Sequence, residues 1–566
     1  MRKQYEAFDI LAVGRRARNY LTRMVDDAHD CLPYWYVQIN SVPAYARHVR
    51  VDDAELVASW YEALVSVRHM LGPEERAAEV EEALLRHLLE SWGPQGLRYH
   101  KPYAWTKTIH ASFHEMGYVL SALNRVLTEH PGHTEAEQLA AGLVRGMRGL
   151  VWERTTATFW SGDWDLGEKI YEFPGDVYLR DGGFVPARVT GRGEECIRNA
   201  VLLQPLVQRA EKFNDEVALD LAEGIANHLL GLARYFNWKG EFFGHVHSAV
   251  WFAAGLARLG RIMNNERYVT RAHDIYRYVL SLSSAFGWVP EYAQWRPLNE
   301  EHCETCCIKD MIECGFELIE CGYDYWDVIN KFTRNQLVEQ QIKDGCFVSV
   351  DNTRPDENGY TWREIDQRVV GGWSGGAEPN SISLARFRSI AGCCAGTAPQ
   401  ALHMVWERIV EQRNGSVYVN FPMTHCHALA DVTAGYPNEG FVRVKAGQPG
   451  RYIVRVYAWM GQQLELLVNG AQRPVLFREG GVCVEGVGAG DVIELRHVLR
   501  DEEKCEKARG QEYHVIWRGP DVVEMKEAGA PLRLYQRTLG VPKEYPQPVR
   551  VHGNGEVAMR PTGQKG

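Results

Sequence analysis

The stretch FRSIAGCCAGTAPQALHMVWERIVEQRNGSVYVNF, residues 387–421, contains a change of period. Leu402, Val405, Trp406 and Ile409 recur at three- and four-residue steps, which predicts a helix over 397–412. After Arg413, Asn414 and Gly415 the step becomes two, and SVYVNF (416–421) predicts a strand. A helical region therefore ends, and a sheet region begins, near residue 415.

Upstream, the helical period runs back to about residue 50, with predicted helices over 53–71, 76–91, 108–129, 135–150, 196–211, 216–235, 245–262, 266–283, 305–321 and 325–341, and one more near the N-terminus. About six helical hairpins without a short strict repeat favour an (α/α)6 toroid over a solenoid. Downstream, GFVRVKA (440–446), RYIVRVYAW (451–459), QLELLVNG (463–470), DVIELRHVL (491–499) and EYHVIWRG (512–519) alternate apolar and polar residues between turns. They predict an antiparallel β-sandwich. The expected organisation is an (α/α)6-barrel catalytic domain over 1–415, a β-sandwich domain over 416–545 and a tail over 546–566. The helix-poor insertions 152–195 and 342–392, rich in Gly, Trp, Tyr, Asp and Arg, are expected to line a site.

The 566 residues are 45 % hydrophobic and 24 % charged, the make-up of an ordinary globular protein. A net charge of -10, with no basic stripe, argues against a nucleic-acid or anionic-membrane partner. No window approaches about 18 consecutive apolar residues, so no membrane span is expected. The N-terminus MRKQYEAFDILAVGRRARNYL lacks an apolar h-region, so the cytoplasm is the expected location.

Of 13 cysteines, Cys303, Cys306, Cys307, Cys314, Cys321, Cys346, Cys393 and Cys394 fall in one segment of under a hundred residues. In a reducing compartment that clustering points to thiolate or metal chemistry more than to disulfides. In HCETCCIKD (302–310), Glu304 and Cys306 precede an apolar helix face of Ile308, Met311, Ile312, Phe316 and Ile319. Both cysteine clusters thus stand at helix N-termini, where the macrodipole favours thiolate. If those helix starts meet, Glu304, Cys306, Cys393 and Cys394 offer three thiolates and a carboxylate, a set that suits tetrahedral zinc. The competing reading, kept for Cys314 and Cys321, is that free cysteines are small buried apolar residues.

The ordered set of Glu304-Thr305-Cys306, FRSIAGCCAGTAPQALHMVWERIV (387–410) and NGSVYVNF (414–421) resembles glycoside hydrolase family 127, typified by β-L-arabinofuranosidases. GHVHSAVWFAAGLARL (244–259), GDVIEL (490–495) and WRGPDVVE (517–524) are similar to further segments of that family. The resemblance implies zinc held by Glu304, Cys306, Cys393 and Cys394, Cys393 as glycosidic nucleophile and His245 at a carbohydrate substrate. It also implies a glutamate acid/base about sixteen residues before the E-T-C motif. One pairing places Ser284 there and Glu291-Tyr292 at the family's D-Y element, which leaves Glu291 as candidate acid/base, with Glu300 and Glu301 behind it. The family's C-C pair is commonly followed by P-N or G-N, whereas here Ala395-Gly396-Thr397-Ala398 follows.

The chemistry expected from this set is retaining glycoside hydrolysis with a cysteine in place of the nucleophilic carboxylate. His110 and His114 lie one turn apart and are further candidates to hold sugar hydroxyls, His110 the stronger. Trp105, Trp160, Trp164, Trp288, Trp295, Trp362 and Trp373 are candidate stacking surfaces, and Arg180, Arg188, Arg363 and Arg368 candidates for an acidic sugar. Two alternatives keep the fold: a zinc protein that binds carbohydrate without hydrolysing it, and another (α/α)6 enzyme such as a uronate hydrolase, lyase or epimerase. The sandwich offers a surface for a possible homodimer.

Overall fold

The computed structural model describes residues 3–49, 52–155, 169–186, 190–382, 390–527, 529, 532–545, 547–550 and 557–560. Trp160, Trp164, Arg188 and most of the expected tail lie outside the described residues. Among those described, the helices are α1 (Ile10–Arg23), α2 (Val57–Leu71), α3 (Glu75–Leu89), α4 (Phe113–Glu129), α5 (Thr134–Leu150), α6 (Glu194–Asn199) and α7 (Leu203–Phe213). They continue with α8 (Glu216–Asn227), α9 (Val246–Ile262), α10 (Glu266–Leu282), α11 (Thr305–Glu320), α12 (Trp326–Phe332), α13 (Ile365–Arg368) and α14 (Gly392–Glu407).

Six of them touch in a closed cycle, α2 to α4 to α7 to α9 to α11 to α14 and back to α2. Helices α3, α5, α8, α10 and α12 each pack against the member of the cycle that precedes them in sequence, and α1 packs on α2 and α14. Side-chain patterning explains which helices form the cycle. Helices α9, α11 and α14 are apolar or small over most of their circumference and are buried almost throughout. Helix α5 instead carries one stripe, Ala136, Ala140, Leu143, Val144 and Met147, and leaves its other face to solvent.

Close approach of α14 to α2 depends on two glycines. A Cβ on Gly392 would lie 2.7 Å from a Leu56 methyl, and one on Gly396 would lie 2.5 Å from the Ser59 hydroxyl. The Trp60 indole N–H donates to the Gly392 carbonyl at 2.8 Å across the same seam.

The observed boundaries depart from expectation where polar or small residues hide the period. Helix α14 begins at Gly392 rather than 397, because GCCAG supplies no large apolar side chain to mark a turn. Residues 110–112 form a strand paired with Val177–Leu179 instead of the first turn of a helix. The predicted helices 216–235 and 325–341 end in π turns, His228–Leu232 and Thr333–Leu337. The sheet region also starts early, with Val410–Arg413 paired antiparallel to Ser416–Val419.

The C-terminal strands form a five-stranded and a six-stranded sheet, with a separate three-stranded sheet over Asp501–Ala508, Gln511–Arg518 and Asp521–Met525. Strict alternation in Phe441–Ala446 buries Val442, Val444 and Ala446 on one face. One pairing is parallel, against the antiparallel expectation: Ser416–Val419 with Gly450–Arg455, Ser416 opposite Arg451. The chain leaves the first sheet after Val419, builds Phe441–Ala446 and its neighbours in the second, and returns in the original direction. Buried ion pairs join the sheet region to the helices. The Arg334 guanidinium donates to both Asp521 carboxylate oxygens at 2.7 and 3.0 Å and to the Pro422 carbonyl at 3.2 Å. Arg537 pairs with Glu339 at 2.8 Å and donates to the Arg334 carbonyl at 2.6 Å.

Candidate active site

Short strands deliver the chain to the starts of helices in the cycle. His110–Ser112 leads into α4, Gly244–His245 into α9 and Ile390–Ala391 into α14. Gly244–His245 pairs with Tyr292–Ala293, and Ile390–Ala391 with Tyr36–Gln38. The first turns of α11 and α14, which are neighbours in the cycle, carry the two cysteine clusters.

The clusters meet. One ligand atom from each of Glu304, Cys306, Cys393 and Cys394 lies within 4.8 Å of the others, and all four residues are buried. The Cys306 and Cys394 sulfurs are 3.6 Å apart, far beyond a disulfide bond, and the Cys393 sulfur is 3.6 Å from Glu304 Oε1. A tetrahedral zinc with sulfur at about 2.3 Å and oxygen at about 2.1 Å has S···S and S···O edges of about 3.8 and 3.6 Å. The donor set and its spacing therefore fit that ion. Thr397, on the element that departs from the family pattern, donates its hydroxyl to the Cys306 sulfur at 3.3 Å.

Burial raises all three thiols, but contacts with Cys306 and Cys393 bring Cys394 down to about 6. Burial and its two cysteine neighbours hold Cys306 well above its ordinary value. For Cys393 the contact with Cys306 pulls downward, yet Cys394 and burial together push it well up. Burial and mutual contact thus oppose ionisation of the three thiols together, and a divalent cation would supply the charge that lets them ionise.

His245 stands against this group, its Nε2 3.4 Å from Glu304 Oε2 and its Nδ1 2.9 Å from the Ser248 hydroxyl. Burial lowers its pKa, so the imidazole is neutral. His114 is also lowered by burial, to about 4; its Nδ1–H donates to the Ile197 carbonyl at 3.0 Å. His247 behaves oppositely, because Asp310 outweighs burial and raises it to about 9. Its Nε2 meets the Tyr118 hydroxyl at 2.6 Å.

The remaining expected residues are placed less centrally. Glu291 is buried next to Tyr292, the strand partner of His245, and its carboxylate lies 4.0 Å from Arg296. Glu301 is clamped by Arg296 at 2.6 and 3.2 Å, and Glu300 is exposed on a turn. Ser284 is occupied locally, its hydroxyl accepting from the Trp288 N–H at 2.9 Å. His110 Nδ1 lies 3.1 Å from the Thr108 carbonyl, and its ring lies 4.7 Å from the His100 ring. Trp288 and Trp373 are fully buried and donate to backbone carbonyls. Trp362 is buried under Arg354, Trp105 stacks on His48 at 4.4 Å, and Trp295 lies 4.7 Å from Tyr292. Arg368 donates to the Arg23 and Val25 carbonyls, Arg363 lies 3.6 Å from Asp356, and Arg180 is exposed near the Tyr99 ring.

One residue at this end of the cycle has no counterpart among the expected ones. Glu55, on the π turn Asp52–Leu56 that opens α2, is buried with its Oε2 3.7 Å from His114 Nε2. Burial, then the charge of Cys393, raises its carboxyl well above the usual range. In the sequence DDAEL it looks like the acidic first turn of a solvent-facing helix start, and no spacing signal separates it from that role.

A cavity of about 390 Å³ lies further along α2, α4, α9, α11 and α14, lined by Ser121, Trp251, Glu313 and His403 among others, and contains none of the cysteine group. Among the described residues no helix is long and apolar enough to cross a membrane.

No family model matches this sequence, and a search of curated proteins finds no match. Solved structures do match. A family 127 β-arabinofuranosidase superposes with a TM-score of 0.58 at 15 % identity, covering 91 % of this chain and 81 % of its own. A family 127 β-L-arabinofuranosidase from Geobacillus stearothermophilus T6 gives 0.55 at 15 % identity, covering 91 % and 80 %. A further glycoside hydrolase gives 0.57 at 13 %, covering 87 % and 84 %. These three structural neighbours are glycoside hydrolases that share this arrangement of helices and C-terminal sheets, and at these identities the likeness is one of fold.

Proposed function

We propose that this chain is a retaining glycoside hydrolase acting on an L-arabinofuranoside or a related plant-glycan sugar. The closed cycle of six inner helices with six packed outside supports reading the helical part as an (α/α)6 toroid, and the strands as a β-sandwich. One observation carries the chemistry: a buried three-thiol, one-carboxylate group assembled from the starts of two neighbouring inner helices.

Glu304, Cys306, Cys393 and Cys394 would hold zinc, which when bound keeps the cysteines ionised. Cys393 attacks the anomeric carbon, while a carboxylic acid protonates the departing oxygen. The same carboxylate then takes a proton from water, which attacks the same carbon and releases the Cys393 thiolate with net retention. His245, neutral and beside Glu304, is positioned to hold a sugar hydroxyl. Two of the structural neighbours are β-arabinofuranosidases, which favours a β-L-arabinofuranoside as the first sugar to test.

Metal analysis tests the site apart from the reaction. The purified protein is expected to carry about one zinc per chain, and Cys394→Ala to lose it. Metal-free protein with undiminished activity would leave the cysteines structural and return the chain to another (α/α)6 chemistry. Intact-mass detection of a glycosyl adduct on Cys393 with activated furanosides tests the nucleophile.

A further inference from the structure

We propose that Glu55 is the proton donor and acceptor of this site, in the place left by the family's missing glutamate. The inference rests on the glycosidase reading above and names the residue that completes it. The π turn carrying Glu55 packs directly on the start of α14: Leu56 lies against Gly392, the residue before Cys393. It also packs on α4, which brings His114 to the Glu55 carboxyl. Glu55 therefore stands at the same end of the cycle as Cys393, Glu304 and His245, on the opposite side of Cys393 from α11.

Its surroundings differ from those of every other buried carboxyl near the site. Asp310 is held by Lys309 and His247, Glu301 by Arg296, Asp53 by His100, Asp52 by His48, and Glu115 lies 3.1 Å from His100. Glu291 lies 4.0 Å from Arg296. Among the described residues, the ion-pair neighbour of Glu55 is His114 alone. With its Nδ1 proton given to Ile197, His114 presents an unprotonated Nε2 to the Glu55 carboxyl. A carboxyl without a fixed cation, facing a neutral imidazole, can exchange its proton with a substrate instead of staying ionised in a salt bridge. Burial itself opposes its ionisation.

In the first step Glu55 gives its proton to the glycosidic oxygen as the C–O bond breaks and the Cys393 C–S bond forms. In the second it takes a proton from water as the new C–O bond forms and the C–S bond breaks. No further reactant is needed. Glu55→Gln is expected to release one equivalent of aryl alcohol from an activated aryl furanoside and then stall. Steady-state turnover should fall by about a hundredfold or more, the glycosyl adduct should accumulate on Cys393 by intact mass, and azide should restore turnover with a glycosyl azide as product. Glu291→Gln is the companion variant and should turn over without azide. Azide rescue in Glu291→Gln and not in Glu55→Gln would overturn the assignment, as would unchanged turnover in Glu55→Gln. Infrared difference spectroscopy gives a substrate-free check: the protonated-carboxyl absorption at neutral pH, to which Asp52 and Glu62 also contribute, should lose one group's intensity in Glu55→Gln, and an unchanged intensity overturns the proposal. Failure of the wild-type protein to form any Cys393 adduct would instead strike the glycosidase reading itself.

Discussion

Cys393→Ala is expected to abolish turnover of an activated aryl furanoside, by about 10⁴-fold or more, while the chain stays folded. In the proposed mechanism the nucleophile is the one group whose role no neighbour can share. Cys394 and Cys306 are equally buried, but Cys394 faces Cys306 and Cys306 receives the Thr397 hydroxyl. Cys393 faces Glu304, beside which His245 stands. The truncation removes one small buried side chain at a helix start, a modest packing loss beside the chemical one. Cys426→Ala, at an exposed position in a strand, is the control and should keep wild-type rates. Release of aryl alcohol, measured as burst and steady state, checks both. Full turnover in Cys393→Ala would remove the thiolate mechanism whatever the metal content.

Much of this site was legible because its residues are marked by type. Cysteine is rare and clustered here, and a glutamate two positions before a cysteine at a helix start is a local pattern that survives without knowledge of the fold. The two halves of the cysteine and glutamate group, 87 positions apart between Cys306 and Cys393, are joined in the sequence only on the condition that the two helix starts meet, or through the resemblance to a family. The structure supplies the contact that spacing could not. The helices were legible for the same reason that their ends were not: periodicity reports packed faces, whereas π turns and Gly-Cys-Cys-Ala-Gly runs have no face to report. Glu55 shows the limit most plainly. A glutamate in an acidic helix start is ordinary, and only the fold of α4 and α14 around it turns a surface residue type into a buried carboxyl. The parallel pairing of Ser416–Val419 was also hidden, since alternation specifies a strand and not the direction of its partner.

The join between the helical and sheet regions should be as sensitive as the site. Arg334 is almost wholly buried on the π turn after α12, and its guanidinium makes a two-pronged contact with Asp521, which is buried as well. Arg334→Ala strands the Asp521 carboxylate with only Arg537 at 3.4 Å, whose nearer partner is Glu339 at 2.8 Å. It also frees the Pro422 carbonyl. Breaking one side of a buried pair costs about 3–5 kcal/mol, against about 0–1 kcal/mol for an exposed pair. The expected result is a large fall in the urea midpoint together with easier proteolysis between the helical and sheet regions. Asp521→Asn in the same background should recover part of the loss, because the stranded group is then neutral. If Arg334→Ala instead costs no more than an exposed pair, water reaches this join and the two regions are held by their apolar contacts. If Asp521→Asn worsens the variant, Arg537 alone already satisfies the carboxylate and the pairing of Arg334 with Asp521 is not what couples the regions.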